Sequence, residues 1–255
     1  MNGHRIDVQT QDGTIDCYTF SPGPPSPEGF GGTRPGPWPA VILYMDAFGI
    51  REELGEMAQR LASHGYFVVL PNLYYRIGAF APFDRRSVLV EGPERDRFKS
   101  MIQSLNPTLV MRDTAAVIGM LDQQDGVRDG PIGVVGYCMG GGYALTAAGT
   151  FPDRVAAAAS FHGGSLATDK PDSPHTLASR MRGRVYVGAA EVDPSFPEEQ
   201  QSRLERALSE AGVDHTLEVY GGVKHGFAVT GHLVYDRDAS ERHWTRLIEL
   251  LEQTL

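Results

Sequence analysis

Cysteine is scarce in this sequence, since only Cys17 and Cys138 occur among its 255 residues. Two cysteines cannot build a disulfide framework, and these two lie in quite different sequence contexts. A reducing, cytoplasmic compartment fits this cysteine content best. Long apolar runs are lacking too. The N-terminus has no apolar segment typical of a secretory signal, and no stretch approaches ~18 consecutive apolar residues. We therefore expect no membrane span.

Positive charge is in deficit, with 23 Lys and Arg against 32 Asp and Glu, a net charge of −9. The sequence contains no run of Lys or Arg, so we do not expect a basic surface that binds the phosphates of a nucleic acid. Hydrophobic residues make up 41% of the chain and charged residues 22%, which is ordinary for a soluble globular protein. We expect a monomer or weak homodimer with a small-molecule substrate and with neither a nucleic-acid nor a membrane partner.

Apolar strands alternate with amphipathic helices along the chain, which indicates parallel βαβ units with helices on both faces of a sheet. We find no repeats and no domain boundary, so residues 1–255 are predicted to form a single α/β domain with a mainly parallel central sheet. Strands are predicted at residues 5–8, 14–18, 40–45, 66–70, 132–135, 155–160, 185–189 and 216–220, and helices at 52–64, 107–122, 139–148, 197–211 and 238–253.

Residues 21–39 are rich in Pro and Gly and cannot form a regular element. We predict a surface loop within the domain there. At this length it is longer than most connections, which favours either an insertion or a mobile flap.

The most informative stretch is Gly136-Tyr137-Cys138-Met139-Gly140, placed between a predicted strand and a predicted helix. This is the nucleophile elbow G-x-S-x-G with Cys in place of Ser. The strand and the helix pass so closely at such a turn that the flanking positions must be small. The helix beginning after Cys138 directs free N–H groups and the positive end of its dipole toward the sulfur, which favours the reactive thiolate.

Two other interpretations of this stretch are a structural cysteine and a phosphate-binding loop. The glycines lack both the Lys-Ser/Thr ending of a P-loop and the spacing of a dinucleotide-binding loop. The strand before Cys138 and the helix after it are the context that the elbow motif requires. We therefore predict that Cys138 is a nucleophile.

A nucleophile elbow predicts an acid and then a histidine further along the chain. A predicted strand runs into an acidic loop that contains Glu191 and Asp193, and Asp193 is favoured because the Pro after it suits a turn. His225 follows the next predicted strand in a Gly-rich loop, and we predict that it is the base. His162, which follows an earlier strand, is the second choice for the base or else a residue that lines the pocket.

Together these residues resemble the dienelactone hydrolase family over nearly the whole chain, most weakly in residues 1–39. The motifs that carry the resemblance are Gly136-Tyr-Cys-Met-Gly-Gly, Pro71-Asn-Leu-Tyr74, Asp193-Pro, His225-Gly-Phe, and Tyr235 with Trp244. The resemblance implies an α/β-hydrolase fold, a Cys-Asp-His triad, and hydrolysis of an ester or lactone through a thioester acyl-enzyme. It implies no cofactor and no metal. By the usual arrangement of this fold, the oxyanion hole would use backbone N–H groups of Met139 and Ala47.

Two departures from the family concern the substrate pocket. Family members that hydrolyse dienelactone carry a Glu that contacts the resting thiol, and the matching residue here is Asp46, which we predict tunes thiolate formation. Those members also hold the substrate carboxylate with two arginines. Arg76 matches one of them, and Val229 stands where the other would be. We therefore expect a preference for larger or less charged esters and lactones.

Three functions compete at this point. The leading one is an ester or lactone hydrolase, and a thioesterase or acyl transferase on the same fold is the second. A non-catalytic ligand-binding homologue is the third, because a fold alone does not guarantee activity.

Overall fold

The computed structural model describes residues 3–23 and 36–255. Within this part of the chain, eight strands join in one sheet. The strands are β1 (His4–Thr10), β2 (Gly13–Phe20), β3 (Ala40–Tyr44), β4 (Phe67–Pro71), β5 (Ile132–Tyr137), β6 (Val155–Phe161), β7 (Arg184–Val192) and β8 (His215–Lys224).

In the described part of the chain, six α-helices connect or follow these strands. They are α1 (Glu52–Ser63), α2 (Pro93–Gln103), α3 (Pro107–Leu121), α4 (Met139–Thr150), α5 (Glu198–Glu210) and α6 (Arg237–Thr254). Short 3-10 helices cover Ser87–Leu89 and Pro174–Arg180. No helix in the described ranges is long and apolar enough to cross a membrane.

The strand order is β1-β2-β4-β3-β5-β6-β7-β8. Only the β1–β2 and β2–β4 pairs are antiparallel, and every other neighbouring pair is parallel. The predicted α/β fold with a mainly parallel sheet is thus confirmed. Since parallel strands end at the same edge of a sheet, the loops that follow β3, β5, β6, β7 and β8 meet there.

Helices cover both faces of the sheet, as the pattern predicts. Val41 of β3 pairs with Gly133 of β5, and a Cβ at Gly133 would lie 2.7 Å from Leu251 of α6. Tyr44 of β3 points to the opposite face, because side chains alternate along a strand. There its hydroxyl lies 2.8 Å from that of Thr114 in α3. The strands between these layers, β3, β4 and β5, are buried along their whole length.

The segment between β4 and α3 departs from the sequence prediction, which assigned no element there. Helix α2 was missed because most of its residues are polar and only Met101 is buried. The Pro93 in its first turn was the one available start signal. Of the predicted surface loop at residues 21–39, the part from 24 to 35 lies outside the described residues. Trp38, near its end, forms an isolated β-bridge with Val127.

Candidate active site

Cys138 lies in a strained turn between β5 and α4, with φ 55° and ψ −122°. A Cβ at Gly136 would lie only 1.9 Å from the carbonyl oxygen of Gly140. A Cβ at Gly140 would in turn lie 2.6 Å from the carbonyl oxygen of Met45, beyond the end of β3. No side chain fits at either position. The glycines of the elbow motif are therefore required by the close packing of strand, helix and neighbouring loop.

Helix α4 begins at Met139, directly after Cys138. The first N–H groups of a helix have no partner within the helix, and they carry its positive partial charge. Cys138 is a free, partly exposed cysteine, so a substrate can reach its sulfur. The positive end of the helix favours the thiolate form of that sulfur.

His225 and Asp193 are hydrogen-bonded to each other at the same edge of the sheet. Asp193 follows β7 and His225 follows β8, and Nδ1 of His225 lies 2.7 Å from Oδ2 of Asp193. Burial of His225 disfavours its charged form, but the neighbouring Cys138 and Asp193 outweigh this and raise its pKa to about 11. Asp193 is itself buried, and its hydrogen bonds with His225 and Ser195 more than offset burial and lower its pKa. The structure thus brings together the three residues predicted to form the triad.

Ser195 is a site residue that the sequence analysis missed. Its hydroxyl donates to Oδ1 of Asp193 at 2.6 Å, and its backbone N–H donates to the same oxygen at 2.9 Å. An Asp that accepts from the backbone two residues later is a common turn, so Asp193-Pro-Ser195 carried a usable signal. Glu191, the alternative acid, is exposed and accepts instead from the backbone N–H of Gly222 at 2.6 Å.

His162 lies between the candidate nucleophile and the candidate base. Its Nδ1 is 3.2 Å from the backbone nitrogen of Cys138, and its ring centroid is 5.2 Å from that of His225. Only 1% of the residue is exposed, so it offers almost no surface to a substrate. Its predicted role as a pocket-lining residue therefore does not fit its burial.

Tyr74 joins the two segments predicted to form the oxyanion hole. Its buried hydroxyl donates to the carbonyl oxygen of Ala47 at 3.1 Å and lies 3.7 Å from the sulfur of Met139. The carbonyl oxygen of Met45, two residues before Ala47, lies so near Gly140 that a Cβ there would be only 2.6 Å from it. The loop after β3 and the start of α4 are therefore held side by side.

Asp46 is fully buried in an ion-paired network. Arg51 donates to both of its carboxylate oxygens at 2.7 Å, and Nε2 of His232 lies 3.2 Å from Oδ2. The backbone N–H of Phe48 donates to Oδ1 at 2.9 Å. Burial of Asp46 is outweighed by these partners, so its pKa is well below the usual range. Both oxygens of the carboxylate are thus occupied by Arg51, His232 and the backbone N–H of Phe48. The thiol contact predicted for Asp46 is not among its hydrogen bonds.

Arg76 does not have the free guanidinium expected of a substrate clamp. It donates to both carboxylate oxygens of Asp113 at 2.8 Å and to Asp12 at 2.7 Å. Asp113 is buried in α3, so its negative charge needs this partner. These contacts do not support the predicted role of Arg76 in holding a substrate carboxylate. The prediction placed Arg76 by its match to an arginine of the family in the loop after Pro71, and it could not foresee the two acids folded against it.

Val229 is fully buried in the hydrophobic core, so it does not present the apolar pocket surface that we predicted. A cavity of about 880 Å³ lies beside the loops after β3, β4 and β8, and its wall contains neither Cys138 nor His225. Aromatic rings of the first two loops form part of its wall, and one of them, Phe80, packs edge-on against Tyr74 with ring centroids 5.7 Å apart. Wall residues include Phe48, Arg51, Phe80, Phe83 and Leu233. Among the described residues, no group of three or more His, Cys, Asp or Glu is placed to hold a metal ion.

Comparison with known families supports what the elbow indicates. The pattern that defines the "Dienelactone hydrolase family" matches residues 28–255. The chain belongs to the dienelactone hydrolase family.

Individual family members are distant in sequence but similar in fold. A protein of Synechocystis sp. named "Putative carboxymethylenebutenolidase" is 26% identical over 223 residues, which is 86% of this chain and 88% of that protein. The crystal structure of a "Putative Dienelactone Hydrolase" from Klebsiella pneumoniae has a TM-score of 0.82 at 21% identity, covering 98% of both chains. A dienelactone hydrolase-like promiscuous phosphotriesterase, P91, from metagenomic libraries has a TM-score of 0.76 at 23% identity, again covering 98% of both chains. These structures establish the α/β-hydrolase fold of this family member.

Proposed function

We propose that this protein hydrolyses carboxylic esters or lactones with Cys138 as nucleophile, His225 as base and Asp193 as the residue that orients the base. The observation that carries the proposal is the position of His225. Its Nδ1 is bound to the buried Asp193 at 2.7 Å, and its pKa responds most strongly, after burial, to Cys138. A histidine held between an acid and a thiol on an elbow is the arrangement that nucleophilic catalysis needs.

The first half of the reaction forms a thioester. His225 takes the thiol proton, and the Cys138 sulfur attacks the substrate carbonyl carbon. The backbone N–H groups of Met139 and Ala47 stabilise the negative oxygen that results. When the tetrahedral intermediate collapses, the C–O bond of the ester breaks, and the alcohol oxygen takes the proton from His225. In a lactone this alcohol stays attached to the acyl group.

The second half releases the acid. His225 takes a proton from water, the hydroxide attacks the thioester carbonyl, and the C–S bond breaks. The proton on His225 returns to the sulfur, and the carboxylic acid leaves. Throughout, Asp193 keeps Nδ1 of His225 protonated and directs the other ring nitrogen to the reacting atoms.

The comparisons and the contacts of Arg76 support different parts of this proposal. The family and the name of the Synechocystis relative favour a carboxylic ester or lactone as substrate. Because Arg76 is already ion-paired, we propose that neutral esters and lactones are better substrates than carboxylate-bearing ones.

The test measures turnover of 4-nitrophenyl acetate and of a neutral γ-lactone by the wild-type protein and by Cys138→Ala. We expect Cys138→Ala to lose turnover while keeping its fold, because only the sulfur is removed. With the wild type, rapid quenching and intact mass measurement should detect an acetylated protein that hydroxylamine reverses, as a thioester requires.

The matched control is Cys17→Ala. Cys17 is fully buried in β2, and burial raises the pKa of its thiol to about 12, so it should take no part in the reaction. This variant should retain wild-type turnover and acetylation. Turnover that persists in Cys138→Ala would overturn the mechanism.

A second pair of variants tests the base. His225→Ala should lower kcat/KM by roughly 10²–10⁴-fold, the usual contribution of a general base. His162→Ala should have a much smaller effect. If His162→Ala were inactive and His225→Ala near wild type, the base would be His162.

A further inference from the structure

His162 has an unusual backbone conformation directly beside the nucleophile. Among the described residues, only Cys138, His162 and Ser165 are non-glycine residues with positive φ, and φ of His162 is 39°. Two of these three strained residues are hydrogen-bonded to each other, because the backbone N–H of Cys138 donates to Nδ1 of His162 at 3.2 Å. Strained conformations persist when the surrounding contacts enforce them, and they concentrate at functional sites.

This hydrogen bond determines the protonation of His162. A backbone N–H can only donate, so Nδ1 must be the unprotonated, accepting nitrogen, and the ring proton lies on Nε2. Burial, together with the electrostatic influence of the nearby His225, His232 and His243, lowers the pKa of His162 well below its usual value, with Asp46 acting in the opposite direction. His162 is therefore a neutral acceptor.

The other ring nitrogen of His162 has no hydrogen-bond partner among the described residues, although it is buried. The ring instead packs edge-on against His225 and against Phe227, with centroids 5.2 and 5.4 Å apart. A buried N–H without a partner is unfavourable for stability. An apolar ring would avoid this, so folding alone does not explain a histidine at this position.

A competing acceptor for the Cys138 N–H exists in the backbone. The carbonyl oxygen of Phe161 lies 3.2 Å from the same nitrogen. The Cys138 N–H is therefore shared between Nδ1 of His162 and the carbonyl oxygen of Phe161. Without the His162 acceptor, the N–H would still be hydrogen-bonded, but only to Phe161. The expected consequence is a change in the orientation of the elbow rather than loss of the fold.

We infer that His162 is a positioning residue: its Nδ1 holds the Cys138 amide, and thereby the sulfur, in line with His225. This inference rests on the proposed function, in which Cys138 is the nucleophile. It assigns His162 no contact with the substrate. Its ring and its acceptor have separable roles, the ring as a spacer against His225 and the acceptor as the link to the elbow.

The test compares His162→Asn with His162→Phe, both in the Cys17→Ala background. Asn places a carboxamide oxygen close to where Nδ1 lies and tolerates positive φ, but it has no ring. Phe keeps the ring and lacks the acceptor. The measurement is the rate of alkylation of Cys138 by iodoacetamide across pH, together with kcat and KM for 4-nitrophenyl acetate.

We expect His162→Phe to move the alkylation midpoint upward by on the order of half to one pH unit, because the sulfur is less well paired with His225. Its kcat should fall by about 2- to 10-fold with little change in KM. His162→Asn should keep the wild-type alkylation midpoint. If His162→Asn shifts the midpoint and His162→Phe does not, the ring and not the acceptor is responsible, and the inference is wrong. Equal shifts in the two variants would also overturn it, because the acceptor in His162→Asn would then have no effect.

One measurement needs no variant at His162. Long-range ¹H–¹⁵N spectra of the wild-type protein should show His162 as the Nε2–H tautomer at every pH at which the protein is folded. A ring protonated at Nδ1 would overturn the inference. Failure of the proposed function is recognised separately, because an unreactive wild-type Cys138, or turnover in Cys138→Ala, refutes the nucleophile whatever His162 does.

Discussion

The hydroxyl of Ser195 donates a 2.6 Å hydrogen bond to Oδ1 of Asp193, the carboxylate oxygen that His225 does not use. Each oxygen of the buried carboxylate thus has its own side-chain donor. We predict that Ser195→Ala lowers kcat/KM by about 2- to 10-fold, because Asp193 keeps only the backbone N–H of residue 195 on that side. Steady-state kinetics with 4-nitrophenyl acetate measure the effect. An unchanged kcat/KM would mean that the backbone N–H alone orients Asp193.

The charge state of His225 should depend on the Cys138 sulfur. After burial, the interaction with Cys138 is the largest influence on the raised pKa of His225. A thiolate favours the imidazolium, so Cys138→Ala should lower the pKa of His225 by more than about one unit. NMR titration of the His225 ring protons measures this shift. Cys17→Ala should leave the titration unchanged, and an unaltered pKa in Cys138→Ala would show that the sulfur and the imidazole do not interact.

Breaking the ion pair between Asp46 and Arg51 should destabilise the protein. Asp46 is fully buried and the Arg51 side chain is only 15% exposed, so Asp46→Asn removes the closer carboxylate from a largely buried guanidinium and leaves it only Glu53, 3.5 Å away. Such losses cost roughly 3–5 kcal/mol, which lowers Tm by on the order of 10 °C in a chain of this size. Calorimetry measures Tm. Asp12→Asn, which weakens the more exposed contact with Arg76, is the control and should change Tm much less.

The same ion pair should make stability sensitive to acid. The pKa of Asp46 is lowered in the folded state, so its contribution is fully present above the unfolded pKa near ~4 and is lost as pH falls below it. We expect wild type to lose stability more steeply than Asp46→Asn between about pH 5 and 3. Urea unfolding at several pH values tests this. Parallel slopes for the two proteins would contradict the ion pairing of Asp46.

Arg76 should be structural rather than a determinant of specificity, since its donors are taken by Asp113 and Asp12. We predict that Arg76→Gln lowers stability and leaves unchanged the ratio of kcat/KM for a carboxylate-bearing 4-nitrophenyl ester to that for 4-nitrophenyl acetate. Comparing the two esters in each protein cancels a general loss of active enzyme. A fall in this ratio of about tenfold or more would show that Arg76 does hold the carboxylate of the substrate.

Much of the fold was predictable because its signals are local. The buried strands β3, β4 and β5 are short apolar runs, and the helices that follow the strands have apolar residues at helical spacing. Helix α2 has neither signal, because it lies on the surface with one buried side chain. The prediction failed there for a physical reason: a helix that buries little has no periodic pattern.

The elbow is the part of the site that the sequence determined by itself. The glycines around Cys138 and the strand and helix on either side all lie within one short stretch. The steric requirement at Gly136 comes from Gly140 in the same stretch, although that at Gly140 comes from Met45 in a distant loop. The partners of longer side chains were decided only by the tertiary structure. Arg76 and Asp113, or Asp46 and His232, lie far apart in sequence, and a charged side chain at a buried position pairs with whichever opposite charge the fold brings nearest. Arg76 was expected to hold a substrate carboxylate, but in the folded protein it is ion-paired with Asp113. The carboxylate of Asp46 is likewise paired with Arg51 and His232.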